Sequence, residues 1–69
     1  MKLVISAESE IKNGSILAVN IDRQPVMEYR SEIRGSSLIL DLGWQVSKGK
    51  HVIELLLEKG IYKKFSFEI

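Results

Sequence analysis

Apolar and polar residues alternate along most of the chain, and turn-forming residues interrupt the alternation at intervals of eight to twelve positions. Successive side chains of a β-strand point to opposite faces, so this pattern predicts strands with one face in a core and one in solvent. Six strands are predicted. Their core-facing rows are Leu3, Ile5 and Ala7; Leu17, Val19 and Ile21; Met27, Tyr29 and Ile33; Leu38, Leu40 and Leu42; Ile53, Leu55 and Leu57; and Ile61, Lys63, Phe65, Phe67 and Ile69.

Turn residues separate these rows. Asn13-Gly14, Asp22 to Pro25, and Gly35 to Ser37 each join two predicted strands, and Lys59-Gly60 suits a two-residue hairpin loop. We expect Asp22 to bond its own backbone in its turn. The longest irregular stretch is Gly43 to Lys50.

Residues 51–59 also permit a helical interpretation, because Val52, Leu55, Leu56 and Lys59 recur with a period close to 3.6. The β-branched start, the shortness of the segment and the hairpin signal at Gly60 favour a strand. Short turns between strands favour antiparallel pairing, because parallel crossovers need a dozen or more residues. The sequence therefore predicts a single all-β domain over residues 1–69, an antiparallel β-sandwich of about six to seven strands. A small closed barrel of the SH3 or OB kind is the alternative.

Composition narrows the functional classes. The 69 residues are 45% hydrophobic and include no cysteine, so the core must form without disulfides or thiolate-bound zinc. The net charge of +1 gives no strong attraction to nucleic acid or an anionic membrane. Residues 1–5 resemble the start of a signal peptide, but Ser6, Glu8 and Glu10 interrupt the apolar run. We expect no signal peptide within the chain and no membrane association.

The segment from Leu38 to Ile69 carries a family resemblance. It contains Leu-Ile-Leu-Asp-Leu, a loop, the run Gly49 to Leu55, a glycine turn, and Phe-Ser-Phe-Glu-Ile. This arrangement resembles the last strands of immunoglobulin-like β-sandwich modules of bacterial and archaeal surface or carbohydrate-active proteins. Val19 to Asp22, followed by a turn to Pro25, looks like an earlier hairpin of such modules.

The resemblance implies an immunoglobulin-like sandwich with a spacing, docking or adhesive role, no catalytic residues, and a cell-surface or extracellular location. The Cys…Trp…Cys signature of antibody domains is missing. The chain is also shorter than a typical seven-stranded domain, which predicts a missing edge strand and an edge that is either exposed or covered by a partner.

His51 is the only histidine and therefore the first candidate for acid–base or ligand chemistry. A catalytic triad or a zinc site needs further groups beside it, and the sequence shows no pattern that supplies them. The residue that opens this strand in immunoglobulin-like modules often braces the preceding corner. We accordingly expect His51 to be a structural corner residue.

Trp44 lies in the longest loop and is the main candidate for ligand binding. An exposed indole ring can stack on a sugar or a peptide, with Tyr29 as a second contact. The alternative is that Trp44 fills the open end of the sandwich, and in a domain with one tryptophan this second interpretation is favoured.

The remaining polar residues carry no recognisable enzyme motif. The serines lie outside any Gly-x-Ser-x-Gly elbow, the acidic residues form no calcium-loop pattern, and the lysines of the C-terminal third have acidic neighbours. We predict a non-catalytic module without cofactor or metal that serves protein–protein interaction, structural spacing or assembly, with a protein partner or a homo-oligomer. The alternatives are a carbohydrate-binding accessory module and, less favoured, a small nucleic-acid-binding barrel.

Overall fold

A computed structural model describes residues 1–6, 11 and 15–69. Its seven strands are β1 (Lys2–Ser6), β2 (Ile16–Ile21), β3 (Gln24–Pro25), β4 (Tyr29–Arg34), β5 (Ser37–Leu42), β6 (Lys50–Leu57) and β7 (Tyr62–Glu68), with a short 3₁₀ turn at Glu58–Gly60. The predicted Asn13-Gly14 turn and the Ala7 end of the first strand lie outside the described residues. The all-β prediction is confirmed, and the helical alternative for residues 51–59 is wrong.

The strands form two antiparallel sheets. One has three strands in the order β1-β5-β4, and the other has four in the order β3-β2-β6-β7. Among the described strands no ladder joins one sheet to the other. The molecule is therefore a two-layer β-sandwich, as the sequence predicts, rather than a closed barrel.

The core lies between the sheets and is supplied mostly by the predicted rows, but Ile69 at the end of the last row is 45% exposed. Leucines of β5 face the aliphatic residues of β2 and β6, and the innermost side chains have almost no exposed surface. The buried cluster consists of Ile11, Val19, Ile21, Val26, Leu38, Leu40, Leu42, Val46, Ile53, Leu55 and Leu57. Met1, Leu3, Ile5, Phe65 and Phe67 are among the partly buried residues that pack against it.

A bulge in β2 changes the prediction for Leu17. Ile16 pairs with Leu57 and Ala18 with Leu56, so Leu17 is an extra residue without a direct partner on β6. The row prediction for Leu17 is therefore wrong: its side chain is 60% exposed, while Ile16 packs against the core.

The crossing between the sheets changes the prediction for Met27. The chain leaves the four-stranded sheet at Pro25 and enters the three-stranded sheet at Tyr29. Val26 faces the core in this crossing, and its amide donates a hydrogen bond to the carbonyl of Val19 at 2.9 Å. Met27 is 85% exposed, so its predicted place in the core-facing row is wrong.

Two turns differ in detail from their predictions. Ile21 pairs with Gln24, which leaves Asp22 and Arg23 as a two-residue loop with φ values of 51° and 66°. Positive φ at both central residues is the signature of a type I′ turn, which matches the twist of a hairpin. The β6–β7 connection is a three-residue turn over Glu58–Gly60, and the amide of Leu57 donates to the carbonyl of Ile61 at 2.7 Å.

Candidate functional site

His51 connects three separate parts of the molecule. Its Nδ1 lies 2.5 Å from Oδ2 of Asp22 in the β2–β3 turn, and its Nε2 lies 2.7 Å from the backbone carbonyl of Ser47. The ring also stacks on Phe67 of β7, with 5.4 Å between the ring centroids. Because His51 and Phe67 are directly opposite each other on the core-facing side of β6 and β7, the strand register produces this contact.

Asp22 does not bond its own turn in the way that its position predicts. Its Oδ1 accepts a hydrogen bond from the amide of Val52 at 2.9 Å, and its own amide donates to the carbonyl of Val52 at 2.9 Å. The carboxylate thus fastens the turn to β6. The left-handed conformation of Asp22, with φ of 51°, accompanies this arrangement.

Both ring nitrogens of His51 face acceptors. A carboxylate and a carbonyl oxygen accept hydrogen bonds only, so both nitrogens donate when the ring is protonated. The pKa of His51 is raised above 6.5. The hydrogen bond to Asp22 is the largest cause, and the hydrogen bond to the carbonyl of Ser47 is the second. The pKa of Asp22 is lowered below 3.8. The hydrogen bond from His51 is the largest cause, and the hydrogen bond from the amide of Val52 is the second. Within this arrangement neither ring nitrogen remains to take a proton from a substrate.

Trp44 lies at the surface, with 46% of its area exposed. Val46 is the buried residue of the same loop, and its amide lies 3.2 Å from Sδ of Met1. The favoured expectation that Trp44 fills the end of the sandwich is therefore wrong, because Val46 faces the core in this loop.

Tyr29 is partly buried against the core at the start of β4, opposite Leu42. It lines an open hollow of about 390 Å³ together with Met27, Glu28, Arg30, Asp41, Leu42 and Gly43. Trp44, which follows Gly43 in the chain, is not among the lining residues. The structure thus places the two predicted binding residues near the same end of β5 without bringing both into one cavity.

The charged residues of the outer faces stand in pairs of opposite sign. Lys50 is opposite Glu68, and Lys64 is opposite Glu54, on the solvent side of β6 and β7. This pairing dilutes the positive charge of the C-terminal lysines. Among the described residues, no group of three or more histidine and acidic side chains could hold a metal ion. No helix in the described part of the chain has the length and apolar character needed to cross a membrane.

Strand β7 forms one edge of the four-stranded sheet. Gly49 and Ile69 exchange both backbone hydrogen bonds, at 3.2 and 3.0 Å, and this fixes the direction of every backbone group along the strand. Residues that alternate with Ile69 point their N–H and C=O groups away from β6. These are Tyr62, Lys64, Ser66 and Glu68, and no described strand lies on that side.

An apolar cleft lies beside this edge. It has a volume of about 240 Å³ and lies between β1 and β7, the neighbouring edges of the two sheets. Its apolar lining includes Leu3, Ile5, Ile53, Phe65 and Phe67. The cleft places partly exposed aromatic rings next to a row of backbone groups that have no partner strand among the described residues.

A second apolar surface lies on the outer face of the same sheet. Leu56 and Tyr62 are opposite each other on β6 and β7, and Leu17 projects from the bulge of β2 nearby. All three are at least 43% exposed. Tyr62 also donates a hydrogen bond from its hydroxyl to Oε2 of Glu54 at 2.5 Å.

Sequence reasoning selected His51 but missed its partner Asp22, which is 29 residues away in the chain. Only the antiparallel pairing of β2 with β6 brings the two together. The sequence predicts the free edge of β7 only indirectly, through the expectation of a missing edge strand. The even-numbered residues of β7 point their backbone groups outward, and only the direction of a backbone hydrogen bond between β6 and β7 identifies them.

Comparison with models of known protein families, with curated proteins and with solved structures gives no match, so the function has to be inferred from the molecule itself.

Proposed function

We propose that this chain is a non-catalytic interaction module that binds another polypeptide through the free edge of β7. The observation that carries the proposal is the row of outward-pointing backbone groups at Tyr62, Lys64, Ser66 and Glu68, next to the cleft between β1 and β7. An extended polypeptide that adds to a sheet edge gains affinity from main-chain hydrogen bonds and specificity from side-chain pockets.

Other features of the molecule support a role without catalysis. The Asp22–His51 pair is occupied within the fold, since both ring nitrogens face protein oxygen atoms. The immunoglobulin-like resemblance of the segment from Leu38 to Ile69 agrees with an interaction or spacing role, and it favours a surface or extracellular setting.

Photo-crosslinking in the source cells tests this function. A photoreactive phenylalanine analogue is placed at Ser66 on the β7 edge, with Ser36 in the β4–β5 turn as the exposed control position. We expect position 66 to give a covalent product with a defined polypeptide that position 36 does not give. Absence of any polypeptide product from position 66, or equal products from both positions, would overturn the proposed function.

The exposure of Trp44 supports a second candidate function, carbohydrate binding. The half-exposed indole offers a flat apolar face for a sugar ring, and the hollow lined by Tyr29, Glu28, Arg30 and Asp41 provides polar groups nearby. Since Trp44 is the only tryptophan, its fluorescence reports on this loop alone. A saturable change on titration with one of a panel of polysaccharides, weakened by Tyr29→Ala, would support this function. An unchanged spectrum across the panel would eliminate it.

A further inference from the structure

The free edge of β7 is self-complementary. On its solvent face the edge reads Tyr62, Lys64, Ser66 and Glu68, so a basic and an acidic residue lie on either side of a serine. When such a strand is placed antiparallel to a second copy, with Ser66 opposite Ser66, each Lys64 lies opposite Glu68 of the partner. Opposite charges directly across an antiparallel pair are stabilising, and like charges are destabilising.

The backbone pattern permits the same alignment. Two edges pair only if the residues with outward-pointing N–H and C=O groups are directly opposite each other. With Ser66 opposite Ser66, the facing pairs are Ser66 with Ser66 and Lys64 with Glu68, and all of these residues have outward-pointing groups. A register shift of two residues places Lys64 opposite Ser66, which satisfies the backbone but loses both pairs of Lys64 with Glu68. A shift of four residues places Lys64 opposite Lys64, which brings two like charges together.

The core-facing side of β7 adds apolar pairs to this alignment. Phe65 and Phe67 alternate with the edge residues and line the cleft beside β1. In the alignment through Ser66, each Phe65 lies opposite Phe67 of the partner. Aromatic residues directly opposite each other are among the favourable cross-strand pairs, so the partner would cover rings that are partly exposed in the single chain.

The charges of β6 continue the pattern. Glu54 lies beside Lys64, and Lys50 lies beside Glu68, within one molecule. Across the paired edges the row therefore reads Glu54, Lys64, Glu68 of the partner and Lys50 of the partner. The signs alternate along the whole row.

The edge at β4, on the three-stranded sheet, offers a weaker case. Its edge-directed residues include Ile33, which already takes part in a further interaction. The charges of β4 also form a local pair, since Arg34 Nε lies 3.3 Å from Oε1 of Glu32. Edge β7 is therefore a better surface for pairing than β4.

We infer that the polypeptide bound by the β7 edge is a second copy of this chain, joined antiparallel about a two-fold axis with Ser66 opposite Ser66. This inference rests on the proposed function and names its partner. The pairing joins the two four-stranded sheets into one continuous sheet of eight strands.

Charge reversal tests the pairing by sedimentation equilibrium of the full chain at low ionic strength. We expect a dimer for the natural sequence and dissociation constants at least tenfold weaker for Lys64→Glu and for Glu68→Lys, because each change places two like-charged pairs at the interface. The double variant Lys64→Glu/Glu68→Lys restores opposite charges and should recover dimerisation. Arg30→Glu, which changes the net charge as Lys64→Glu does but lies on β4, is the matched control.

A cysteine at position 66, on the two-fold axis of the inferred dimer, tests the strand register independently. The chain has no cysteine, so Ser66→Cys introduces a single thiol. Residues directly opposite in a hydrogen-bonded antiparallel pair have Cα atoms about 5.5 Å apart, which a disulfide can span. We expect Ser66→Cys to form a disulfide-linked dimer under mild oxidation much faster than Ser36→Cys does in the β4–β5 turn.

Three results would overturn this inference. One is a natural chain that stays monomeric at high micromolar concentration. Another is a dimer that dissociates with Arg30→Glu but tolerates both changes on β7. A third is equal crosslinking of the two cysteine variants. A different protein attached at position 66 in cells, together with a monomeric purified chain, would overturn the dimer and leave the proposed interaction function standing.

Discussion

Asp22 binds His51 and the amide that follows it with its two carboxylate oxygens. Oδ1 accepts from the Val52 amide at 2.9 Å, and Oδ2 lies 2.5 Å from Nδ1 of the His51 ring. These contacts join the β2–β3 turn to β6. The contact between Asp22 and His51 depends on the negative charge of the carboxylate and the positive charge of the protonated ring.

This contact predicts a window of pH in which the fold is most stable. The pKa of Asp22 is lowered from 3.8, so its contribution is present above that value and is lost as the pH falls through the folded-state pKa. The pKa of His51 is raised from 6.5, so its contribution is fully present below that value and is lost as the pH rises through the folded-state pKa. The pair therefore stabilises the fold most between about pH 4 and 6.5.

Urea unfolding between pH 4 and 9 measures this dependence, and proton NMR follows the single imidazole directly. Asp22→Asn keeps an acceptor for Val52 but removes the negative charge. In this variant we expect a lower pKa of His51 than in the natural chain and a flatter decline of stability above pH 6.5. An identical imidazole titration in both proteins would contradict the role of Asp22.

The bulge at Leu17 predicts that the same leucine-to-alanine substitution lowers the free energy of unfolding by different amounts at positions 17 and 55. Leu55 has no exposed surface, so Leu55→Ala leaves a cavity and should lower the free energy of unfolding by about 2–5 kcal/mol. Leu17→Ala removes the same atoms from a side chain that is 60% exposed, and we expect a change of about 0.5 kcal/mol or less. Chemical denaturation of both variants decides this, and similar losses would show that Leu17 packs in the core.

Two turn residues with left-handed backbone conformations predict opposite changes in stability, one when glycine is introduced and one when glycine is removed. Arg23 has φ of 66°, a conformation that glycine adopts without steric cost, so Arg23→Gly should stabilise the chain by about 0.5–1 kcal/mol. Gly35 has φ of 59° with no atom within 4 Å of an added Cβ, so Gly35→Ala should cost about 1 kcal/mol through the backbone alone.

Thermal unfolding in one buffer compares the two variants with the natural chain. A destabilised Arg23→Gly would mean that the arginine side chain contributes more than its backbone conformation costs. An unchanged Gly35→Ala would show that its turn relaxes to negative φ.

The hydrogen bond between Tyr62 and Glu54 predicts that the phenol of Tyr62 loses its proton at a higher pH than an unperturbed tyrosine does. The carboxylate accepts from the hydroxyl, and this bond is the main reason that the pKa of Tyr62 rises above 10.0. Ultraviolet titration in a Tyr29→Phe background observes Tyr62 alone, since the chain has two tyrosines. We expect Glu54→Gln to lower the pKa of Tyr62, and no change would contradict the contact.

The fold was predictable from the sequence where alternation is regular and strongly apolar. Leu38, Leu40 and Leu42 face the core as predicted, as do Ile53 and Leu55. Alternation fails at Leu17 because one inserted residue reverses the faces, and a local pattern gives no sign of the insertion. It fails at Met27 because the chain changes sheets there, which is a property of the tertiary fold.

The candidate site was less predictable than the fold. A pairing such as Asp22 with His51 depends on strand register between distant segments, and residue types alone do not define it. The direction of the free backbone groups along β7 depends on the phase of the hydrogen-bond ladder, and a shift of one residue would present Phe65 in place of Ser66 at the edge.

The far side of the four-stranded sheet bears on how far the inferred strand pairing would extend. There the sheet ends in β3, which has only two residues, and one of them is Pro25, whose nitrogen carries no hydrogen to donate. Such a margin is a poor template for another strand. If two copies pair through β7 as inferred above, the β3 margin would therefore contribute little to further growth of the same sheet.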